Sequence, residues 1–562
     1  MPPALIALIA LLLYYPGIGG PFLLDDFANI TDNPALHIGT LSFSSLWEAA
    51  FSSNAGPLRR PVAMLSFALN FHFDELSPVY YKAVNIGIHL ATAIALFFLT
   101  EALLRRLAVY EIASPNRLSR RQLAALITAL WALHPLHVST VLYVVQRMTE
   151  LAALFSVIGV LLYVHGREML IAGKPRGGIM LVALGAIGCG MLAALSKENG
   201  ALLPVLLLIV EVLFFRGTRD NQPFAKVVFV LLALQTAAIL AYLLYVWAGP
   251  SNPIRNFTAT ERLLTEARIL FSYAGQILMP RIDQMSLLNE NTAVSRGLLA
   301  PLSTAAAVIA MLALISGSLW AACKNRAFPF VFGIGWFLAG HLLESTVIPL
   351  ELRFEHRNYL PSYGIIFAMG VFLNQWRLFE GIRPGLKFAL LAGVLISMSM
   401  LLQTRVTTWT TPQNFFNHEL KNNPNSERAW SDFAFFLILT DQPEESLPIL
   451  LKAAELNPRE VGQLIAAISL QSYEFQREPN SQLVQEALFR LERHPLSAYG
   501  RECLIRYAGN VLLNIDRSPQ SLATADIILS AAARKNWDHP NNLKWIARVA
   551  NIVKEKEHLL QK

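Results

Sequence analysis

Apolar runs dominate the chain and set its reading. Runs of the length that crosses a bilayer core, about 17–25 residues, recur at 3–20, 79–103, 121–138, 148–165, 178–196, 200–215, 225–247, 298–321, 328–345, 360–376 and 386–404. Eleven such runs predict an all-α polytopic membrane protein. Polar residues fall between the runs, and the basic ones sit on alternate connections. These clusters are Arg105/Arg106/Arg117/Arg120/Arg121, Arg167/Lys174/Arg176, Arg216/Arg219/Lys226, Lys324/Arg326 and Arg377/Arg383/Lys387. Short basic loops stay on the cytoplasmic side. That bias places the N-terminus inside and the C-terminus outside. Residues 261–280, ERLLTEARILFSYAGQILMP, are amphipathic, so this segment is expected to lie along the outer interface or to re-enter the protein.

Composition agrees. Of 562 residues, 54% are hydrophobic and 15% charged, where a soluble chain would carry roughly 25% charged residues. The mean hydropathy is +0.43. The formal charge of +7 is accounted for by the basic loops and implies no nucleic-acid partner. Cys189, Cys323 and Cys503 lie far apart, with neither a disulfide framework nor metal-ligand spacing. The first 15 residues lack a basic n-region, and no A-x-A site follows, so the first helix reads as retained.

After about residue 405 the composition becomes that of a soluble helical domain, which sets the expected division at 1–405 and 406–562. Taking Trp430 as the fourth position of a 34-residue helix–turn–helix repeat puts Phe433, Ala434, Leu437, Ser446, Leu450, Ala453 and Pro458 at telling places. A tetratricopeptide repeat wants aromatic, small, large, small, large, small and proline there. Stacked helix pairs offer a concave surface for peptides or proteins; the plainer alternative is a cap on the last loop.

The chemistry-bearing residues gather on the non-cytoplasmic side. The first outer loop, 21–78, holds the acidic pair Asp25/Asp26 in PFLLDDFANITDNP and the basic LRRP at 58–61. The same side holds HPLH (134–137), QRMTE (146–150), SKEN (196–199), the second outer loop 248–297, and ELRFEHRNYLPS (351–362). Any one of these suits an interfacial anchor; as a set beside helix ends they read as functional. A carboxylate can act as a general base, and arginine can clamp a phosphate through paired hydrogen bonds. No phosphate-binding glycine loop is present. The combination suits group transfer from a membrane-anchored phosphate donor to an external nucleophile.

At these residues the chain resembles the GT-C-fold glycosyltransferases. It is most similar to the transmembrane O-mannosyltransferases acting on cadherins (the TMTC group) and to their bacterial relatives with tetratricopeptide repeats. The motifs that carry the resemblance are FLLDDFANITDN, RRPVAML, HPLHVSTVLYVVQR, SKENG, FEHRNYLPS and the Trp430 repeat, in that order. The resemblance implies a GT-C-like bundle of about eleven transmembrane helices with a non-cytoplasmic TPR-like domain. It implies transfer of a sugar from a polyprenyl-phosphate donor to a protein Ser or Thr hydroxyl, with inversion. Asp25 matches the family's first-loop carboxylate taken as base, with Asp26 orienting a neighbour or the acceptor. Arg59 and Arg60 match its R-P element and would bind the donor phosphate with Arg147. In FEHRNYLPS, Glu355 matches the family's Glu, His356 stands where the family has Arg, and Arg357 follows one residue later, so the phosphate role falls on either. Asn33, Lys197, Glu198 and Tyr359 would support the site, Lys197 and Glu198 as a structural ion pair. His134 and His137 read as a helix-end turn rather than a metal site.

A divalent metal held by the acidic pair is the alternative, with Glu150, Glu198, Glu344 or Glu355 as third carboxylate; the favoured reading needs no cofactor. The compact loops resemble bacterial members, which implies the inner membrane, a periplasmic active face and an acceptor such as a pilin or another secreted protein. Two rival readings remain at this stage. One keeps the fold and glycosylates an envelope glycan or lipid. The other is a non-catalytic membrane-anchored repeat scaffold. Which sugar moves, and whether singly or as an oligosaccharide, is open.

Overall fold

The computed structural model describes residues 2–107, 117–219, 223–250, 256–288, 292–324, 328–376, 381–535 and 540–560. Arg326 and Arg377, members of two basic clusters, lie outside the described residues. The chain divides into two compact units: Met1–Leu287 with Thr292–Phe415, and Leu288–Asn291 with Phe416–Lys562.

The first unit is helical from end to end. Its helices are α1 (Pro3–Tyr14), α2 (Phe43–Ala50), α3 (Pro61–Asp74), α4 (Pro78–Leu107), α5 (Arg120–Ala132), α6 (Val138–Val141), α7 (Arg147–Ile171) and α8 (Pro175–Ala183). Then come α9 (Cys189–Ser196), α10 (Leu203–Phe214), α11 (Arg216–Arg219), α12 (Pro223–Ala248), α13 (Ala259–Leu278), α14 (Ser303–Cys323), α15 (Phe328–His341), α16 (Ser362–Gln375) and α17 (Pro384–Thr407). Proline opens many of them, where its missing N–H costs no intrahelical bond. Ser119 with Gln122, and Thr258 with Glu261, form reciprocal capping boxes at the starts of α5 and α13.

Among the described residues, six helices are long and apolar enough to cross a membrane: α4, Val144–Ile171, Pro175–Ser196, α12, α14 and α17; the pair Arg120–Ala132 and Pro135–Val141, bent by 48°, makes a seventh if taken as one span. Helices stand at all eleven expected positions, but the count of eleven full spans is not reproduced. α1 and α10 have 12 residues each and α15 and α16 have 14, which at 1.5 Å per residue fall short of a bilayer core. Two of the deficits have a visible cause. The residues before α10 and α16 wind into 3-10 turns, Glu198–Leu202 and Glu355–Asn358.

Burial separates a central helix from peripheral ones. Two-thirds of the α7 span window (67%) is buried, against 11% for α14 and α17, so α7 is the core and the other two face hydrocarbon. α7 packs on α4 and along Pro175–Ser196. A side chain at Gly159 would strike the carbonyl of Gly185, and one at Gly166 the carbonyl of Gly178, so these glycines set the close approach.

α13 buries Arg262, Thr265, Glu266 and Gln276 together with Ile269, Leu270, Tyr273 and Ile277, and exposes Leu263, Phe271 and Leu278. Arg262 donates to the carbonyls of Glu344, Thr346, Leu350 and Glu351 and pairs with Glu266 at 2.8 Å. The amphipathic segment 261–280 is therefore a helix whose polar face is held by protein.

In the second unit, Glu427–Leu439 and Pro443–Leu456 pack as a helix pair. Ala434, Ser446 and Ala453 are fully buried between them. The Ser446 hydroxyl donates to the Ala434 carbonyl at 3.0 Å, and Pro458 follows the second helix.

Candidate active site

Leu24 adopts a left-handed backbone, with φ of 45°, and the two aspartates after it point to different surroundings. Asp25 is exposed. Its main-chain N–H donates to the Tyr143 hydroxyl at 2.8 Å, and its carboxylate meets no partner among the described residues. Asp26 is fully buried. Its Oδ2 accepts from the Leu23 N–H at 3.0 Å and its Oδ1 from the Val145 N–H at 2.7 Å. Burial pushes the Asp26 carboxyl up to about 7, while the two amides and the nearby Lys82 oppose the shift. Lys82 was absent from the residues singled out in the sequence. Its buried ammonium has no hydrogen-bond partner among the described residues, and a side chain at Gly20 would strike it.

The basic residues divide in the same way. Arg60 holds Glu198 through Nη2 at 2.8 Å and Nε at 3.0 and 3.2 Å, and its Nη1 lies 3.2 Å from the Met148 sulfur. Arg59 and Arg60 both take left-handed backbones, φ 57° and 51°, a strain of roughly 1–2 kcal/mol per residue. Gly56, φ 72°, lies against the Glu198 carboxylate where any Cβ would collide with it. Arg59 is exposed, with Nη1 on the Phe51 carbonyl. Arg147 is fully buried. It donates to Asn85 Oδ1, the Ser66 carbonyl and the Tyr81 carbonyl and stacks over Phe67. It clamps α3 and α4 to α7 and turns none of its face outward, which corrects the expected phosphate contact.

Lys197 and Glu198 do not pair with each other. Lys197 Nζ binds Glu344 at 2.8 Å and donates to Thr149 Oγ1 at 3.0 Å, while Glu198 belongs to Arg60. Burial would raise the Glu344 carboxyl, but Lys197 first, then Arg357, outweigh it and hold it at about 2. Burial lowers the Lys197 ammonium, with Glu344 opposing.

His356 and Arg357 line one small cavity, with Thr149, Asn199, Leu206 and Leu360 among the other walls. Its volume of about 10 Å³ holds one water. Burial first, then Lys197, push the His356 imidazole well below its usual range, so it is neutral at pH 7 and Arg357 is the cation. Arg357 donates to the carbonyls of Leu352 and Glu351 and lies 3.7 Å from Glu266.

The remaining expected residues are structural in their contacts. Glu355 pairs with buried Arg405 at 3.2 Å. The Tyr359 hydroxyl meets His89 Nδ1 at 2.8 Å, and Asn33 donates to Ser52 Oγ at 3.0 Å. His134 is bonded at both nitrogens, to the Ile277 carbonyl and the Leu136 N–H. Among the described residues, no three His, Cys, Asp or Glu side chains are placed to hold one metal ion.

One segment ties these parts together. Tyr143 and Val145 hold Asp25 and Asp26; Met148 and Thr149 meet Arg60 and Lys197; Thr149, Ala152, Ala153 and Ser156 line the cavity with His356 and Arg357. Known proteins resemble this chain in sequence. A protein O-mannosyl-transferase of Caenorhabditis elegans is 27% identical over 40% of this chain and 30% of its own length. Protein O-mannosyl-transferase Tmtc3 of Drosophila melanogaster is 20% identical over 81% of this chain and 55% of its own. Human protein O-mannosyl-transferase TMTC3 is 23% identical over 80% and 50%. This chain is similar to the TMTC proteins. It spans about half the length, or less, of the curated TMTC relatives it matches. No family model and no solved structure matches it.

Proposed function

We propose that the protein is a GT-C-type glycosyltransferase that moves a sugar from a polyprenyl-phosphate donor to a Ser or Thr hydroxyl of a protein. The observation that carries this reading is the Tyr143–Ser156 segment, which joins an exposed carboxylate at one end to a cation-lined cavity at the other. Asp25 is the general base. It takes the proton from the acceptor hydroxyl as that oxygen attacks the anomeric carbon. The bond from that carbon to the phosphate oxygen breaks, and polyprenyl phosphate leaves with inverted configuration at the sugar. The leaving group is already ionised, so it needs positive charge rather than a proton. Arg357 supplies charge from the cavity, Lys197 stands behind its wall residue Thr149, and Arg60 and Arg59 lie on the first outer loop. The neutral His356 offers a hydrogen bond.

The cavity is too small for a sugar, so donor entry requires it to widen, and we propose that the Arg60–Glu198 contact, next in sequence to the wall residue Asn199, is what gives way. Both side chains are partly exposed, 19% and 27%, and such a pair is held by roughly 0.2–1 kcal/mol. The reaction runs on the periplasmic side of a bacterial inner membrane, without a metal cofactor. The TPR-like second unit recruits the acceptor, a pilin or another secreted protein. The names of the TMTC relatives support protein over glycan as acceptor.

The test is intact-mass spectrometry of secreted proteins from cells with the parent gene, without it, and with Asp25→Asn. A sugar-sized mass present with the parent and missing from both other strains is the expected result. A mass that persists with Asp25→Asn removes Asp25 as base. No mass change in any strain removes the protein acceptor.

A further inference from the structure

We infer that the furrow between α13 and α14 is a binding site for one anionic phospholipid, separate from the reaction site. The furrow has a volume of about 490 Å³ and is lined by Arg268, Phe271, Ser303, Ala306, Ala307 and Ala310. The α14 residues recur at the spacing of a single helix face. Three alanines there leave a channel one acyl chain wide, about 10 Å long at 1.5 Å per residue.

Its surroundings say what fills it. α14 is 11% buried over its span window, and Leu302, Ile309 and Leu312 are 71%, 67% and 62% exposed. On the other wall, α13 turns Leu263, Phe271 and Leu278 outward, and Arg268 lines the furrow beside Phe271. Both walls therefore face hydrocarbon, and a lipid chain is the occupant at hand.

The headgroup chemistry follows from Arg268. Its Nη1 donates to the Ala293 carbonyl at 2.9 Å and to Ser295 Oγ at 3.2 Å. No carboxylate among the described residues pairs with it, in contrast to its helix neighbour Arg262, which has Glu266. A partly exposed guanidinium beside a lipid-facing furrow suits an anion, and a lipid phosphate can take it through charge-assisted hydrogen bonds. The Ser303 hydroxyl stands at the same end. A phosphodiester on Arg268 and Ser303, with its chain along Ala306, Ala307 and Ala310, satisfies both halves of the site.

The test uses the full-length protein in nanodiscs of mixed phosphatidylglycerol and phosphatidylcholine, with retained lipid read by native mass spectrometry. The parent is expected to keep one phosphatidylglycerol in preference to phosphatidylcholine. Arg268→Gln reduces that preference about tenfold or more, the loss of a charged hydrogen bond. Ala307→Trp fills the channel and removes the lipid, while Leu312→Trp, on the opposite face of α14, keeps it. Equal retention of both lipids by the parent, or phosphatidylglycerol retained by Ala307→Trp, overturns the site. So does displacement of phosphatidylglycerol by undecaprenyl phosphate, which would give the furrow to the donor. Sugar transfer is measured apart from this and persists in Arg268→Gln. A parent with no transfer at all would fail the enzyme reading without touching the lipid ratio.

Discussion

Adjacent aspartates with opposite surroundings should fail differently when changed. Asp25→Asn keeps the shape of an exposed side chain and removes its capacity to take a proton, so transfer is expected to fall about 10²–10⁴-fold with the melting temperature unchanged. Asp26→Asn leaves an amide N–H₂ facing a main-chain N–H at Leu23 or Val145. That unsatisfied contact costs about 1–3 kcal/mol, read as a lower melting temperature with transfer per folded molecule largely kept. None of this division was legible in the sequence. It depends on the left-handed turn at Leu24 and on Val145, 119 positions away. Lys82 escaped notice for a related reason, since a lysine near the start of a membrane helix, here the fifth residue of α4, reads as an interfacial anchor. Arg147 was misread because its partners, Asn85, Ser66 and Tyr81, come from helices whose packing no local pattern announces. Glu344 carries a pH signature. Its folded pKa of about 2 lies below the ordinary value of 4.5, so the folded state holds fewer protons than the unfolded one between those limits. Its contribution is present above pH 4.5 and is lost as pH falls from there toward 2. Glu344→Gln should flatten that part of the stability profile measured by thermal unfolding from pH 6 to pH 2.

At the level of elements, the positions of the membrane helices were readable because long apolar runs leave few alternatives in a bilayer. Their lengths were less so. The turns Glu198–Leu202 and Glu355–Asn358 shorten α10 and α16, and each places a charged side chain against another element, Glu198 on Arg60 and Glu355 on Arg405. α2 and α3 were missed inside the first outer loop, where 8 and 14 residues are too few to register as spans. Within the core, α7 is the helix whose displacement would disturb most. Gly166→Leu would drive a side chain into the Gly178 carbonyl and Val182. The expected cost is about 1–3 kcal/mol, visible as a lower melting temperature. Gly393→Leu on α17, with open space around its Cα, should leave it unchanged.

Across the whole molecule the basic residues cluster on alternate connections, and the proposed chemistry depends on the orientation that this bias predicts. Asp25 and the cavity residues must face the side where secreted acceptors and the sugar end of the donor meet. The basic loops argue for the opposite side as cytoplasm. Cys323 offers a native reporter, because it is exposed at the end of α14 beside Lys324. Cys189 is buried. The Cys503 thiol is pushed up to about 12 by burial, so little thiolate is present to react. A membrane-impermeant maleimide applied to intact cells should therefore leave the protein nearly unlabelled, and should modify Cys323 once the membrane is opened. Ser44→Cys, on exposed α2 of the first outer loop, should label without opening. Labelling of Cys323 in intact cells together with protection of Ser44→Cys would invert the molecule. Asp25 would then face the cytoplasm, and the proposed transfer to secreted proteins would have no route to its acceptor.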